Sequence, residues 1–428
     1  MYKYIINGAT PLHGTVRASG NKNAALPCIA ACLLTEEEVV LGNMPDIEDV
    51  HVMTEILRSI GVTAEQDGPN TWRINSKGLN SSEISSEMAT KIRASILFAG
   101  PLLARTGSVV LAPPGGDIIG RRRLDTHFLA LEGLGATVVV DGTFHLHVNR
   151  LRGANLFLDE ASVTATENAI MAAVRADGTT VIENAASEPH VQDLCHLLNR
   201  MGARISGVGS NILTIHGVDR LHGAAYDIGA DFMEVGSFIG LAAATRGEIT
   251  IERAAPSQLK MTRIAFNKLG IDWETDGDTI HVPAVQKLSV QTDLGGMIPK
   301  IDDSPWPGFP PDLTSIVTVV ATQVAGTVLI HEKMFESRMF FVDKLIGMGA
   351  RIVLCDPHRA VVSGPAPLTG SQLTSPDVRA GMAMVIAALS AQGESVIHNV
   401  YQIERGYEHL TRRLQTLGAD IQRVTVAE

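Results

Sequence analysis

Lys22 and Asn23 open a strongly apolar run, 24–34, immediately behind Ser19-Gly20-Asn21. At a helix start the unpaired N–H groups and the positive end of the macrodipole favour an anion, and Lys22 adds a full charge. A plain cap by Asn21 or Asn23, with Lys22 reaching to solvent, accounts for the same residues equally well. Arg93 stands likewise ahead of the apolar run 96–103, and arginines recur in Ser337-Arg338, Asp377-Val378-Arg379 and Glu404-Arg405-Gly406. Each alone reads as structural. Recurring at strand-to-helix junctions, in the same place of a repeat as Lys22 and Arg93, they suggest several cations converging on one anion.

Between Pro113 and Asp125 runs a loop holding Gly115, Gly116, Asp117, Gly120 and the arginines 121–123. It has neither the glycine spacing of a dinucleotide fingerprint nor the Gly-Lys-Ser/Thr ending of a phosphate loop. Glycine-rich backbone followed by arginines can wrap a small, densely charged ligand; a solvated surface loop is the plain alternative. Asp312 closes a stretch containing Pro305, Pro307, Pro310 and Pro311, which hold it rigid before an apolar helix expected over 313–325. It reads either as the cap of that helix or as a fixed general base.

These residues hang on a repeated frame. Six times a helical pattern ends in an apolar residue, a glycine and a small residue, at Gly61, Gly135, Gly202, Gly270, Gly349 and Gly418, spaced 67 to 79 residues apart. Glycine after the last turn reaches the left-handed conformation without a steric penalty. A strand precedes each helix, so six copies of one α/β unit are expected, three in each of two lobes.

Composition narrows the function. The 428 residues carry 35 Lys and Arg against 46 Asp and Glu, a net charge of −11, and only 4% are aromatic. Neither a basic face for a phosphate backbone nor stacking platforms for bases are provided, so no nucleic-acid partner is expected. The four cysteines show no metal or disulfide pattern, and Cys28 and Cys32 read as small core residues four apart. No metal or cofactor is expected. The first residues read as a strand, without the apolar core of a signal peptide, and the apolar segments 24–34 and 316–330 are too short or too interrupted to span a bilayer. No membrane partner and a cytoplasmic location are expected.

At these residues the chain resembles the enolpyruvyl transferases over essentially its whole length, and follows their UDP-sugar branch. The similarity runs through Ser19–Pro27, Arg93-Ala94-Ser95, Pro114-Gly115-Gly116, Phe309–Asp312, Phe335–Phe340, Asp377–Ala380 and Ile403–Glu408. It implies two lobes, each an inside-out α/β barrel of three repeats with the active site between them: residues 1–21 with 230–428, and 22–229 carrying the Asp117 loop. It also implies transfer of the enolpyruvyl group of phosphoenolpyruvate to the 3-hydroxyl of UDP-N-acetylglucosamine with release of phosphate, for peptidoglycan precursors. By the same resemblance Lys22, Arg122 and Arg405 hold the donor, with Arg93 and Arg379 nearby. Asn23 orients the acceptor hydroxyl, Asp312 is its base, Arg338 serves lobe closure, and Asp49 and Asp377 support them. Arg123, Asp125, His127, Ser162 and Val163 fall on the acceptor side, and Asp117 at the reactive loop position. Other acceptors (a nucleotide, or shikimate 3-phosphate) and a non-catalytic phosphometabolite-binding homologue are the alternatives.

Three positions depart from the family. Asp117 replaces the usual cysteine, the site of alkylation by fosfomycin, so resistance to that antibiotic is expected. Arg123 replaces a proline, and Glu160 a lysine near the nucleotide pyrophosphate. A carboxylate there repels a pyrophosphate, so Arg123 is expected to compensate by pairing with Glu160 or by meeting the phosphate itself.

Overall fold

The computed structural model describes residues 2–116, 120 and 123–425. Packing divides the chain into two compact units, one built from Met1–Ser19 and Ala230–Glu428, the other from Gly20–Asp117 and Arg123–Gly229. Among the described residues six four-stranded sheets are formed, three in each unit. All share one plan. Ser108–Leu111, for example, runs parallel to Glu83–Ile84 and antiparallel to Phe144–His147, which pairs in a hairpin with Thr137–Val140. In the last repeat the hairpin strand comes from the start of the chain: Tyr2–Asn7 lies between Glu394–His398 and Asp420–Thr425.

The six glycines do what their position demands. All have φ between 73° and 104°, and in each case the following residue's N–H reaches back over the glycine to a helical carbonyl, as from Val62 to Leu57 and from Ala419 to Leu414 at 3.0 Å. That is the bond of a Schellman cap, which satisfies a carbonyl left over at the helix end.

Each repeat contributes a second helix of a different kind. In the first unit Phe232–Thr245 and Thr314–Ala321 are buried at every residue, and Val378–Ser390 at all but its last. These three pack on one another. A helix apolar on all sides must be enclosed on all sides, and the sheets do this, with strands such as Glu248–Glu252 alternating exposed and buried residues. Close approach is built in: a Cβ on Gly236 would lie 2.7 Å from Leu313 Cδ1. In the second unit Lys22–Ala31, Ala99–Thr106 and Val163–Ala173 fill the same role. Each unit is thus an α/β barrel turned inside out, with helices within and sheets outside.

Three expectations are corrected. The apolar run at 96–103 is a 3-10 helix, Arg93–Phe98, followed by an α-helix, Ala99–Thr106. Pro101 falls in the first turn of the latter, where its missing N–H has no partner to lose. The helix after Asp312 covers only Thr314–Ala321, and the chain leaves it through Thr322 toward the strand Gly326–His331. Finally, the arginines occupy two kinds of junction. Lys22, Arg93 and Arg379 begin the enclosed helices, whereas Arg338 and Arg405 precede the outer helices Val342–Gly347 and Leu410–Thr416. Among the described residues no helix is long and apolar enough to cross a membrane.

Candidate functional site

In the second unit Lys22 is the first residue of its helix, and Asn21 is the cap: its Oδ1 accepts the N–H groups of Asn23, at 2.8 Å, and Ala24. Capping therefore does not occupy the Asn23 side chain. Lys22 does not reach to solvent. Its Nζ lies 2.6 Å from Asp49 Oδ2, with side chains 13% and 4% exposed. Asp49 comes from the outer helix Glu48–Ser59 of the same repeat, so one repeat builds both the cation and its holder.

Arg93 donates from Nη2 to the Arg123 carbonyl at 3.2 Å. The Gly115-Gly116 pair packs beside it: a Cβ on Gly115 would overlap the Thr90 carbonyl, and one on Gly116 would lie 2.8 Å from Arg93 Cβ. These two glycines are required by that close approach, whatever the loop binds. Asp117 and Arg122 lie outside the described residues.

The acceptor-side residues scatter in role. Arg123 bridges Asp125, at 3.1 Å, and Asp159, at 2.9 Å. The expected pairing with Glu160 is replaced by one with its neighbour, while Glu160 is exposed. Asp125 begins the helix Asp125–Gly133 and is itself exposed. Ser162 caps Val163–Ala173 by accepting from Ala165 N–H, and Val163 starts that helix, half-buried.

His127 turns inward, against the expectation that its side chain meets a substrate. It is 1% exposed, Nδ1 is 2.9 Å from Asn168 Nδ2 and Nε2 is 3.0 Å from Thr164 Oγ1. Asn168 Oδ1 accepts from Gly100 N–H, and Nδ2 also donates to the Ile96 carbonyl, which fixes the amide. Nδ1 of His127 must therefore accept, and Nε2 carries the hydrogen. Burial and the charge of Arg93 push the ring's pKa down to about 3. The ring is a neutral strut between helices.

In the first unit Asp312 does not cap its helix; no side chain does. Its Oδ1 is 2.9 Å from Arg338 Nη1 and its Oδ2 3.0 Å from Arg379 Nε. Burial works against its charge, but the two guanidinium groups outweigh it and hold the carboxyl well below the usual carboxylate range. Arg379 is positioned by its own helix start, where Asp377 Oδ1 accepts its N–H at 2.8 Å and that of Ala380 at 2.9 Å. It also lies over the Tyr407 ring, 5.3 Å from its centre, and its buried Nη1 has no hydrogen-bond partner among the described residues. Arg405, 7% exposed, donates to Gln402 at 2.9 Å.

Two further carboxylates belong here that the sequence did not mark. Asp231 caps Phe232–Thr245 and lies 3.9 Å from Arg379 Nη2. Glu332, fully buried, has its Oε2 3.9 Å from Arg338 Nε. The signal for Asp231 was an acid directly before a long apolar run; Glu332 follows a strand and carried none. The arrangement is an acid held ready between cations, with an unpaired guanidinium donor beside it, suited to proton transfer next to an anion.

Comparison with known proteins gives the chain its relatives. The family model described as EPSP synthase (3-phosphoshikimate 1-carboxyvinyltransferase) matches residues 6–414. UDP-N-acetylglucosamine 1-carboxyvinyltransferase of Treponema denticola is 66% identical over 99% of both chains, and that of Treponema pallidum 64% over 98% of both. Among solved structures, the enolpyruvyl transferase NikO from Streptomyces tendae superposes with a TM-score of 0.88 at 24% identity, covering 100% of this chain and 99% of its own. EPSP synthase from Acinetobacter baumannii follows at 0.76 and 17%, covering 99% and 100%. The six-repeat frame, the match along it and these identities agree: the chain belongs to the enolpyruvyl transferase family.

Proposed function

We propose that the chain transfers the enolpyruvyl group of phosphoenolpyruvate to the 3-hydroxyl of UDP-N-acetylglucosamine, releasing phosphate, in making peptidoglycan precursors. The observation that carries this reading is the 64–66% identity to proteins of that name across 98–99% of both chains. A merely shared fold would not specify the acceptor.

In the reaction the acceptor hydroxyl adds to C2 of the donor while C3 takes a proton. Phosphate then leaves C2 as C3 gives a proton up, which restores the double bond in the enol ether. The donor concentrates its negative charge on a few atoms, and Lys22, Arg122 and Arg405 are assigned to hold it, with Arg93 and Arg379 beside them. Asn23 orients the hydroxyl and Asp312 removes its proton. Held by two arginines, Asp312 is a weak base; an anionic donor competing for the same guanidinium groups loosens that hold as the substrates bind. Asp117 exchanges the proton at C3 or assists product release, and Arg338 acts in closure. Arg123, Asp125, Ser162 and Val163 serve the nucleotide, His127 only by supporting the Asp125–Gly133 helix from within.

The test is phosphate release from phosphoenolpyruvate with UDP-N-acetylglucosamine, a free nucleotide or shikimate 3-phosphate. Turnover is expected with the UDP-sugar. Turnover only with another acceptor would reassign the substrate, and none with any would leave a binding protein. Arg405→Ala should weaken donor binding by about 2–5 kcal/mol, the loss typical of truncating a desolvated charged contact; unchanged affinity removes Arg405 from the donor site.

A further inference from the structure

Arg338 stands between two acids. One guanidinium nitrogen, Nη1, donates to Asp312 Oδ1 at 2.9 Å and to the Pro311 carbonyl at 3.1 Å. The other end, Nε, faces Glu332 Oε2 at 3.9 Å. Both of these facing atoms are buried, and neither meets the distance and angle of a hydrogen bond among the described residues. The Glu332 side chain is enclosed completely, with Oε1 accepting the Phe335 N–H at 3.2 Å. A buried guanidinium with one occupied and one vacant contact can be drawn to either acid, and which one wins depends on the charge that each acid carries.

We propose that Glu332 is a positioning residue for Asp312, setting through Arg338 how firmly that carboxylate is held. Burial and the neighbouring Asp303 push the Glu332 carboxyl well above the usual carboxylate range, against the pull of Arg338. While Glu332 keeps its proton, Arg338 gives its charge to Asp312. When Glu332 loses its proton, it becomes a second anion for the same guanidinium. The hold on Asp312 weakens, and Asp312 becomes a better base.

The other groups around Glu332 do not substitute for this path. Asp303 accepts the N–H groups of Lys333 and Met334 and also faces the Glu332 carboxyl, but as an anion it raises that carboxyl and does not take the place of Arg338. The Lys333 ammonium goes to Asp302 at 2.8 Å, and His358 meets the Glu332 backbone, its ring at the carbonyl and its own carbonyl at the N–H, both at 2.8 Å. Thr314 lies beside the carboxyl and carries no charge.

The proposal concerns Asp312 directly, and only its kinetic consequence rests on the reading of Asp312 as the base. Protein carrying carboxyl-13C aspartate reports the Asp312 carbon, identified by its loss in Asp312→Asn. In the wild-type protein that signal should show a step as Glu332 titrates, above the usual carboxylate range. Glu332→Gln, which keeps the neutral form at every pH, should abolish the step. Arg338→Lys, which removes the nitrogen facing Glu332, should abolish it with Glu332 in place. In parallel kcat should rise about 2- to 3-fold from pH 7 to 9 in the wild type relative to Glu332→Gln, the gain from a base strengthened by about 0.5–1 unit at a Brønsted slope of about one half. A step that persists in Glu332→Gln, or is missing from the wild type, overturns the proposal. Absence of enolpyruvyl transfer would instead sink the functional reading and leave the carbon titration to decide this one.

Discussion

Asp312 and Arg379 lie 67 residues apart in sequence and 3.0 Å apart in space, carboxylate to guanidinium Nε. Asp312 leads into one enclosed helix and Arg379 begins the next one in the chain, so packing of the two helices brings the acid and the cation together. Their pairing makes the candidate base a structural element as well.

Asp312→Asn should therefore lower both turnover and stability. The loss of a general base typically costs about 10²–10⁴ in rate. Leaving two buried arginines under-compensated should cost about 1–3 kcal/mol by urea denaturation near pH 7. The folded carboxyl sits below its ordinary value, so its stabilisation is present above about pH 4 and is lost as pH falls through the folded value. The stability gap between variant and wild type should narrow in acid. A gap that stays constant down to pH 3 would contradict the ion pairing.

Asp49→Asn should be damaging, because Asp49 is the buried partner of Lys22. It leaves the Lys22 ammonium buried without its counter-ion, a change that costs about 3–5 kcal/mol where one partner of a buried pair is removed. Pairing it with Lys22→Met should recover part of that loss in a double-mutant cycle. Additive losses would mean that the two side chains do not interact.

His127 should remain neutral, with its hydrogen on Nε2, throughout pH 5–8, as read from its 15N resonances. Its folded pKa is depressed to about 3, so its contribution to stability is present above about pH 6.5 and declines as pH falls toward the folded value. A midpoint near 6.5 would show a solvent-open ring and return it to the acceptor side.

Glu160 and Arg123 separate by salt and affinity. Glu160→Lys should lower the KM for the UDP-sugar about two- to fivefold, the scale of an exposed ion pair, and less so at high salt. Arg123→Ala should hardly move the melting temperature, because the bridge to Asp125 and Asp159 is exposed. An unchanged KM in the lysine variant would place Glu160 away from the pyrophosphate.

Fosfomycin should leave the protein's intact mass unchanged in the presence of acceptor, since a carboxylate at Asp117 is a poorer nucleophile than a thiolate. Asp117→Cys should gain one adduct. An adduct on the unaltered chain, or none on the variant, would remove Asp117 from the reactive position.

The repeat was legible in the residues themselves because its signal is local. A glycine at the end of a helix is dictated by backbone sterics, and all six appear with positive φ. The enclosed helices were legible for a similar reason where the run is apolar on every side, as at 24–34, which has only one kind of place to go. Partners were another matter. That Asn21 caps while Lys22 turns to Asp49, that Arg123 chooses Asp159 over Glu160, and that Arg338 and Arg405 precede outer helices depend on which chain segments pack together. So does the vacancy between Arg338 and Glu332. Charge pairing is decided over a few ångströms between residues far apart in sequence, and an energy that falls off with distance cannot be read before tertiary packing sets that distance.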